Sequence, residues 1–204
     1  MIVFLFILII NCSQKNQYNA IQYVQEDQLL PFLKDGDIIC RLGDSLWSLV
    51  FKDLSPVEKR FSHLGIVRIK DGYVSVIHAE GLTKINEDRV SEVPLSDFLK
   101  SARSAGIYRL NINEIDGALI SDTALEYIGR PFDWQFDMQK DDKIYCSELL
   151  FLVLSRINPG ICLNTMWVKE LNRYIIPVDI CSQAEYFTEI GYFLPTMQKN
   201  ANLF

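Results

Sequence analysis

Apolar and polar positions alternate most clearly from residue 62 to 81, in the run SHLGIVRIKDGYVSVIHAEG. Two β-branched stretches flank Asp71-Gly72, a dipeptide suited to a two-residue hairpin turn. Upstream, LKDGDIICRLG gives an Asp-Gly turn and then a short strand through Ile38, Ile39 and Cys40. GIYRLN, residues 106–111, reads as another strand. Residues 45–54, SLWSLVFKDL, read as a helix presenting Leu46, Leu49 and Val50. NEIDGALISDTALEYIGRPF reads as a second helix, with Ile115, Leu119 and Ile120 leading to Tyr127; Gly129 stops it and Pro131 prevents its resumption. SELLFLVLSRI, residues 147–157, reads as a buried helix closed by Asn158-Pro159-Gly160. The segment from Asn172 onward gives a strand, Pro177 and a short C-terminal element. Strands grouped together with helices before and after them predict an α+β fold, without the strict alternation of a doubly wound sheet.

The pattern is different at the start. Residues 2–10 are wholly apolar and Cys12 follows closely. That run matches the apolar region of a signal segment and falls well short of the ~20 residues that span a bilayer. IINC, residues 9–12, is a loose version of the box in which a bacterial lipoprotein signal ends on the cysteine that receives lipid. The expected organisation is a lipoprotein-type signal segment over 1–12 with Cys12 as the lipidated residue, a Gln- and Asn-rich tether over 13–28, and one domain over 29–204. The expected location is the bacterial cell envelope, with membrane contact through that lipid anchor or signal segment only.

Composition narrows the function classes. The 204 residues include 49% hydrophobic and 23% charged, the balance of a globular domain. A net charge of -6 argues against broad nucleic-acid binding, which needs a basic face. The five cysteines form no CxxC pair, so zinc-ribbon and thioredoxin-type chemistry lack support. Cys40, Cys162 and Cys181 read as apolar fillers. With only two histidines, His63 and His78, any histidine-based mechanism must use one of them.

Cys146 stands where a charged loop gives way to the apolar run of the 147–157 helix. Unpaired N–H groups and the positive end of the macrodipole favour a thiolate there, so the position predicts a lowered thiol pKa. The same N–H groups can hold the oxyanion formed when a carbonyl is attacked. His63 begins one strand of the Asp71-Gly72 hairpin and His78 lies toward the far end of the other, so pairing could bring them together, with a bulge or longer turn absorbing the offset. Val76, His78 and Glu80 share one strand face. A thiolate, a proton-carrying imidazole and a polar group to fix its ring are the parts of a nucleophilic hydrolase. Cys146, His63 and His78 supply them, with Glu80 the alternative third member.

These residues sit within DGDIICR, SHLGIV, HAEG, PLSDFL, YRL, YIGRPFDWQF, YCSELL and IIPVDI, which occur in the order seen in permuted papain-like cysteine hydrolases. The chain from Leu33 to Ile180 resembles that YiiX-like, circularly permuted branch of the NlpC-type superfamily, in which the histidine precedes the cysteine. The resemblance implies an antiparallel sheet packed against helices, Cys146 as nucleophile, His63 as base and His78 as third member, at a place where relatives often carry Glu. It implies oxyanion donors at the Cys146 N–H, with Tyr145 or the loop at Asp37 contributing, and a pocket lined by Trp134 and Phe136.

The leading expectation is a thiol hydrolase that cleaves an amide, in a peptide or another cell-envelope amide, through an acyl-enzyme. The alternatives are a lipid acyltransferase or esterase using the same Cys-His pair, and a non-catalytic binding domain on the same scaffold. An apolar channel would favour lipid, and a polar groove with carboxylates would favour peptide. His63, His78 and Cys146 are possible zinc ligands, but no HExxH or CxxC spacing accompanies them, so no metal or other cofactor is expected. The expected partner is a peptide- or lipid-like small substrate; the sequence sets no oligomeric state.

Overall fold

The computed structural model describes residues 22–81, 88–112, 114–140 and 142–196. The expected signal segment, Cys12 and most of the expected tether lie outside them. The last part of that tether is not free: the Val24 side chain is buried and its N–H donates to the Ala102 carbonyl. Structured packing therefore starts before residue 29.

Among the described residues, eight strands and four α-helices follow in the order β1 (Ile38–Leu42), α1 (Leu46–Asp53), β2 (His63–Lys70), β3 (Tyr73–Glu80), β4 (Arg89–Pro94), α2 (Leu95–Phe98), β5 (Ser104–Leu110), α3 (Gly117–Leu125), α4 (Cys146–Ile157), β6 (Met166–Val168), β7 (Arg173–Ile175) and β8 (Phe187–Phe193). Six of the strands form one antiparallel sheet in the order β4-β3-β2-β1-β5-β8, and β6 and β7 form a separate hairpin. This is the α+β arrangement the grouped strands predicted. No helix among the described residues is long and apolar enough to cross a membrane.

Strand alternation sorts the core onto the two sheet faces. Ile38, Cys40, Leu64, Ile66, Ile77 and Ala79 pack with Ile120 of α3 and with Leu149, Leu150, Val153 and Leu154 of α4. Ile39, Val67, Val76, Ala105 and Ile107 pack on the other side with Leu95 and Phe98 of α2. Each fully enclosed aliphatic side chain contributes ~1.5–3 kcal/mol. The β2–β3 turn is tight. Lys70 pairs with Tyr73 across Asp71 (φ 52) and Gly72 (φ 78), the double positive φ of a type I′ turn.

Three local expectations shift. α3 is shorter than its pattern because Asp116 caps it, accepting from Ala118 N–H at 3.2 Å. α1 forms behind its Ser45 cap, yet Leu46, Leu49 and Val50 face solvent. Ser48 and Phe51 are the residues of α1 turned inward. Cys40 and Cys181 are buried, as fillers should be, whereas Cys162 is exposed in the loop beyond Pro159-Gly160.

Candidate active site

The site lies where β2 and β3 part. Their ladder ends at Ile66 opposite Ile77, although both strands continue for three more residues. Beyond that point each keeps only its other neighbour, His63 against Arg41 of β1 and Glu80 against Arg89 of β4. No bulge or longer turn reconciles the two histidines. They meet diagonally across this gap, and the position between them is Gly65. A Cβ on Gly65 would lie 2.5 Å from Val76 Cγ1 and 3.1 Å from His78 Cβ, so the glycine does not leave empty space: its neighbours fill it.

Cys146 is the first residue of α4. Glu148, two residues on, reaches back to the Tyr145 N–H at 3.3 Å and fixes the start of the helix. Backbone N–H groups of Leu64 and Ser147 bond to the sulfur; Leu64 belongs to the stretch of β2 that has no β3 partner. These N–H groups act in the direction the helix start predicted. The net direction is the opposite one: enclosure removes water from the sulfur and pushes the thiol up to about 11. The expected lowered pKa fails because burial outweighs two backbone donors.

His63 Nε2 lies 2.8 Å from His78 Nδ1. The His63 ring stacks on Phe98 at 5.6 Å, and the His78 ring meets the same phenyl edge-on at 5.3 Å. Loss of solvation, then the charge on Arg41, holds His78 down to about 3. The same causes, together with His78, hold His63 well below the usual imidazole range. Both rings are therefore neutral at pH 7 and share one proton donor between them. Two tautomer pairs satisfy that bond. If His63 Nε2–H donates, His63 Nδ1 is a free acceptor and His78 carries its proton on Nε2. If His78 donates, His63 Nδ1 is protonated and cannot take another. His78 Nε2 is buried and has no hydrogen-bond partner among the described residues.

A cavity of ≈ 70 Å³ joins these groups. Cys146, His63, Tyr145 and Phe136 line it, with Phe51, Phe132, Ile175 and Ile176 supplying most of the wall. Tyr145 is buried, and its hydroxyl oxygen accepts the Ile176 N–H at 2.8 Å. Ser147 Oγ donates to the Ile176 carbonyl at 2.7 Å, so the residues flanking Cys146 clasp the N–H and C=O of one residue of the opposite wall. Glu80 also lines the cavity, bound to the Arg41 guanidinium. A polar basin adjoins it across Arg41 and Glu80, lined by Asp44, Ser45, Asp97 and Lys100.

Two expected site residues stand elsewhere. Asp37 lies at the opposite end of β1 from Arg41, holding Arg109 Nε at 2.7 Å and the Lys34 N–H at 2.7 Å as a buried clamp. Trp134 is exposed, packs on Phe132 and donates to Asp88 at 3.2 Å; it is not part of the cavity wall. Arg41 is the residue that sequence reasoning passed over. Its guanidinium lies 4.9 Å above the Phe98 ring, donates to the Phe98 carbonyl and sets the field at both histidines. A charge ending the apolar run Ile38-Ile39-Cys40 was the available signal.

Residues 33–177 match the model of a family described as permuted papain-like amidase enzyme, YaeF/YiiX, C92 family. Among solved structures, the chain is similar to the metalloprotein yiiX from Escherichia coli O157:H7, with 20% identity and a TM-score of 0.67 over 80% of this chain and 99% of that one. At that identity the likeness bears on the fold. No protein in the curated set matches the chain. With the family match running from the turn before β1 to the clasped segment opposite Cys146, this chain belongs to the permuted papain-like amidase family.

Proposed function

We propose that this protein is a thiol amidase, with Cys146 as nucleophile and His63 as proton carrier, and that its substrate is an amide with an apolar acyl side. One observation carries the reading: Cys146 and His63 line one cavity while His78 engages His63 through Nε2, which leaves Nδ1 as the ring nitrogen for the thiol. With both groups neutral at rest, His63 Nδ1 takes the Sγ proton as sulfur bonds to the carbonyl carbon. The carbonyl electron pair moves to oxygen, where N–H groups at the start of α4 stabilise it. The C–N bond then breaks, and His63 returns the proton to the departing amine. Water, deprotonated by the same nitrogen, releases the acid and restores the thiol. His78 holds the productive tautomer by accepting from His63 Nε2–H.

The apolar wall of Phe51, Phe132, Phe136 and Ile175 supports an apolar acyl group, and the basin beyond Arg41 and Glu80 suits a polar amine. The same wall favours a second reading, transfer or hydrolysis of a lipid ester by the same pair. Incubation with an N-acyl amide, its matched O-acyl ester and a peptidoglycan fragment, followed by mass spectrometry, separates these. Release of free acid from the amide, with an acyl adduct on Cys146 that Cys146→Ala abolishes, supports the proposal. Ester turnover alone moves the assignment to the second reading, and turnover of all three unchanged by Cys146→Ala refutes both.

The solved relative is described as a metalloprotein, which makes the donor set of this site the relevant chemistry for a metal ion. Among the described residues, ligand atoms of His63, His78 and Glu80 lie within 4.8 Å of one another; Cys146 is not in that group. These residues do not suit a divalent cation. Glu80 is bound to Arg41, and the guanidinium that depresses both imidazoles opposes a second positive charge equally. No step of the proposed reaction uses a metal.

A further inference from the structure

The apolar face of α1 has no covering within the described residues. Leu46, Trp47, Leu49 and Val50 are exposed there, Leu46 at 83%. On the β6–β7 hairpin, Trp167 and Tyr174 are exposed as well, in mutual ring contact at 5.2 Å. Both elements border the cavity, α1 through Ser48 and Phe51 and β7 through Ile175. Large apolar side chains and amphipathic aromatics thus stand on the outer faces of two elements that wall the apolar pocket, with Trp47 in ring contact with the wall residue Phe51 at 6.3 Å, the composition of a surface that enters the headgroup boundary of a bilayer.

The chain's own course indicates what covers this face. Tyr23, close to the first described residue, donates its hydroxyl to Asp44 at 2.6 Å, and Asp44 directly precedes the Ser45 cap of α1. The sequence before it holds the wholly apolar run 2–10, separated by a polar stretch whose 13–21 segment reaches at most ~30 Å when extended. A chain held to a bilayer by that run keeps α1 within reach of the same surface.

We propose that α1 and the β6–β7 hairpin dock on a lipid bilayer, so that the cavity opens toward the membrane and receives its acyl group from there. The substrate class, a membrane-resident acylated amide, rests on the thiol amidase reading; the docking itself does not. The test uses the full chain bound to phosphatidylcholine vesicles containing brominated phosphatidylcholine, read by tryptophan emission. Insertion to the headgroup boundary gives about a two-fold loss of the Trp47 contribution. The quenching falls in Trp47→Phe to the share that Trp167 of the docked hairpin contributes, disappears in the Trp47→Phe, Trp167→Phe double variant, and falls in Leu49→Asp, while all three variants stay vesicle-bound and keep the wild-type rate of Cys146 alkylation. Cys146→Ala retains the full quenching, which separates docking from catalysis. Vesicle-bound protein whose Trp47 emission ignores brominated lipid overturns the proposal. So does a dimer in sedimentation that Leu49→Asp dissociates, because a second copy would then cover the face. If Leu49→Asp fails to fold, the Trp47→Phe comparison decides alone.

Discussion

Acid should unfold this protein through its histidine pair. His78 has an ordinary imidazole pKa of 6.5 when unfolded and about 3 when buried beside Arg41. A depressed folded pKa means that the unfolded chain binds the proton more tightly between those values. Stability is therefore complete above pH 6.5 and falls as the pH drops toward 3. At pH 4 the loss from His78 alone is ~3 kcal/mol, taken from ~1.4 kcal/mol per pH unit. That is a large share of the ~5–15 kcal/mol of a typical domain. His63, displaced in the same direction, adds to it. The assay is urea unfolding followed by tryptophan fluorescence at pH 7 and pH 4, for the wild type and His78→Gln. Glutamine can still bond to His63 but does not titrate. Carboxylates lose stability in both proteins over this range, so the difference between them isolates the ring. The wild type should lose ~3 kcal/mol more than His78→Gln. Equal losses would refute the reasoning, because His78 would then accept its proton in the fold as readily as in solution.

Three further outcomes follow from the same geometry. Alkylation of Cys146 should accelerate about tenfold per pH unit through the alkaline range, since the thiol is protonated well above neutrality; a plateau below pH 8 would contradict dominance by burial. Gly65→Ala should cost ~1–3 kcal/mol in urea unfolding and displace His78, because the added methyl meets Val76 and the His78 Cβ; an unchanged midpoint would count against the tight approach. Asp37→Asn should destabilise by ~3 kcal/mol, leaving Arg109 without its carboxylate, while the alkylation rate of folded Cys146 stays the same; a changed rate would restore Asp37 to the site.

How far sequence carried the reading depended on whether the information was local. The β2–β3 hairpin was legible because Asp71-Gly72 fixes the turn and the β-branched runs fix the faces. The α4 start was legible because Cys146 marks the change from charged loop to apolar run. The diagonal meeting of His63 and His78 was legible only as proximity. It depends on β2 and β3 losing each other after Ile66 and Ile77, which no local pattern encodes. The thiol pKa was misjudged for a related reason. A helix start is written in the sequence, but the wall of Ile175, Ile176 and Val178 that dries the sulfur arrives from another part of the chain. Arg41 escaped notice because its influence comes from tertiary placement over Phe98. Trp134 and Asp37 have the right chemistry for a pocket and lie in the wrong places. The exposure of Leu46, Leu49 and Val50 was equally hidden, since an apolar helical pattern does not say which side carries a core.

The clasp on Ile176 has a consequence for how the protein is made. Synthesis runs from the N-terminus, and a domain folds as a unit once its parts are present. Both histidines are made long before Cys146, and Cys146 is made well before Ile176, whose backbone Tyr145 and Ser147 grip. Until Ile176 is added, the cavity lacks the side that Ile175, Ile176 and Val178 supply, and the thiol stays open there. In that interval it is wetter, more acidic and more open to oxidants than it will ever be in the finished protein. A chain stalled or truncated before Ile176 would keep that state, a reactive thiol without a pocket.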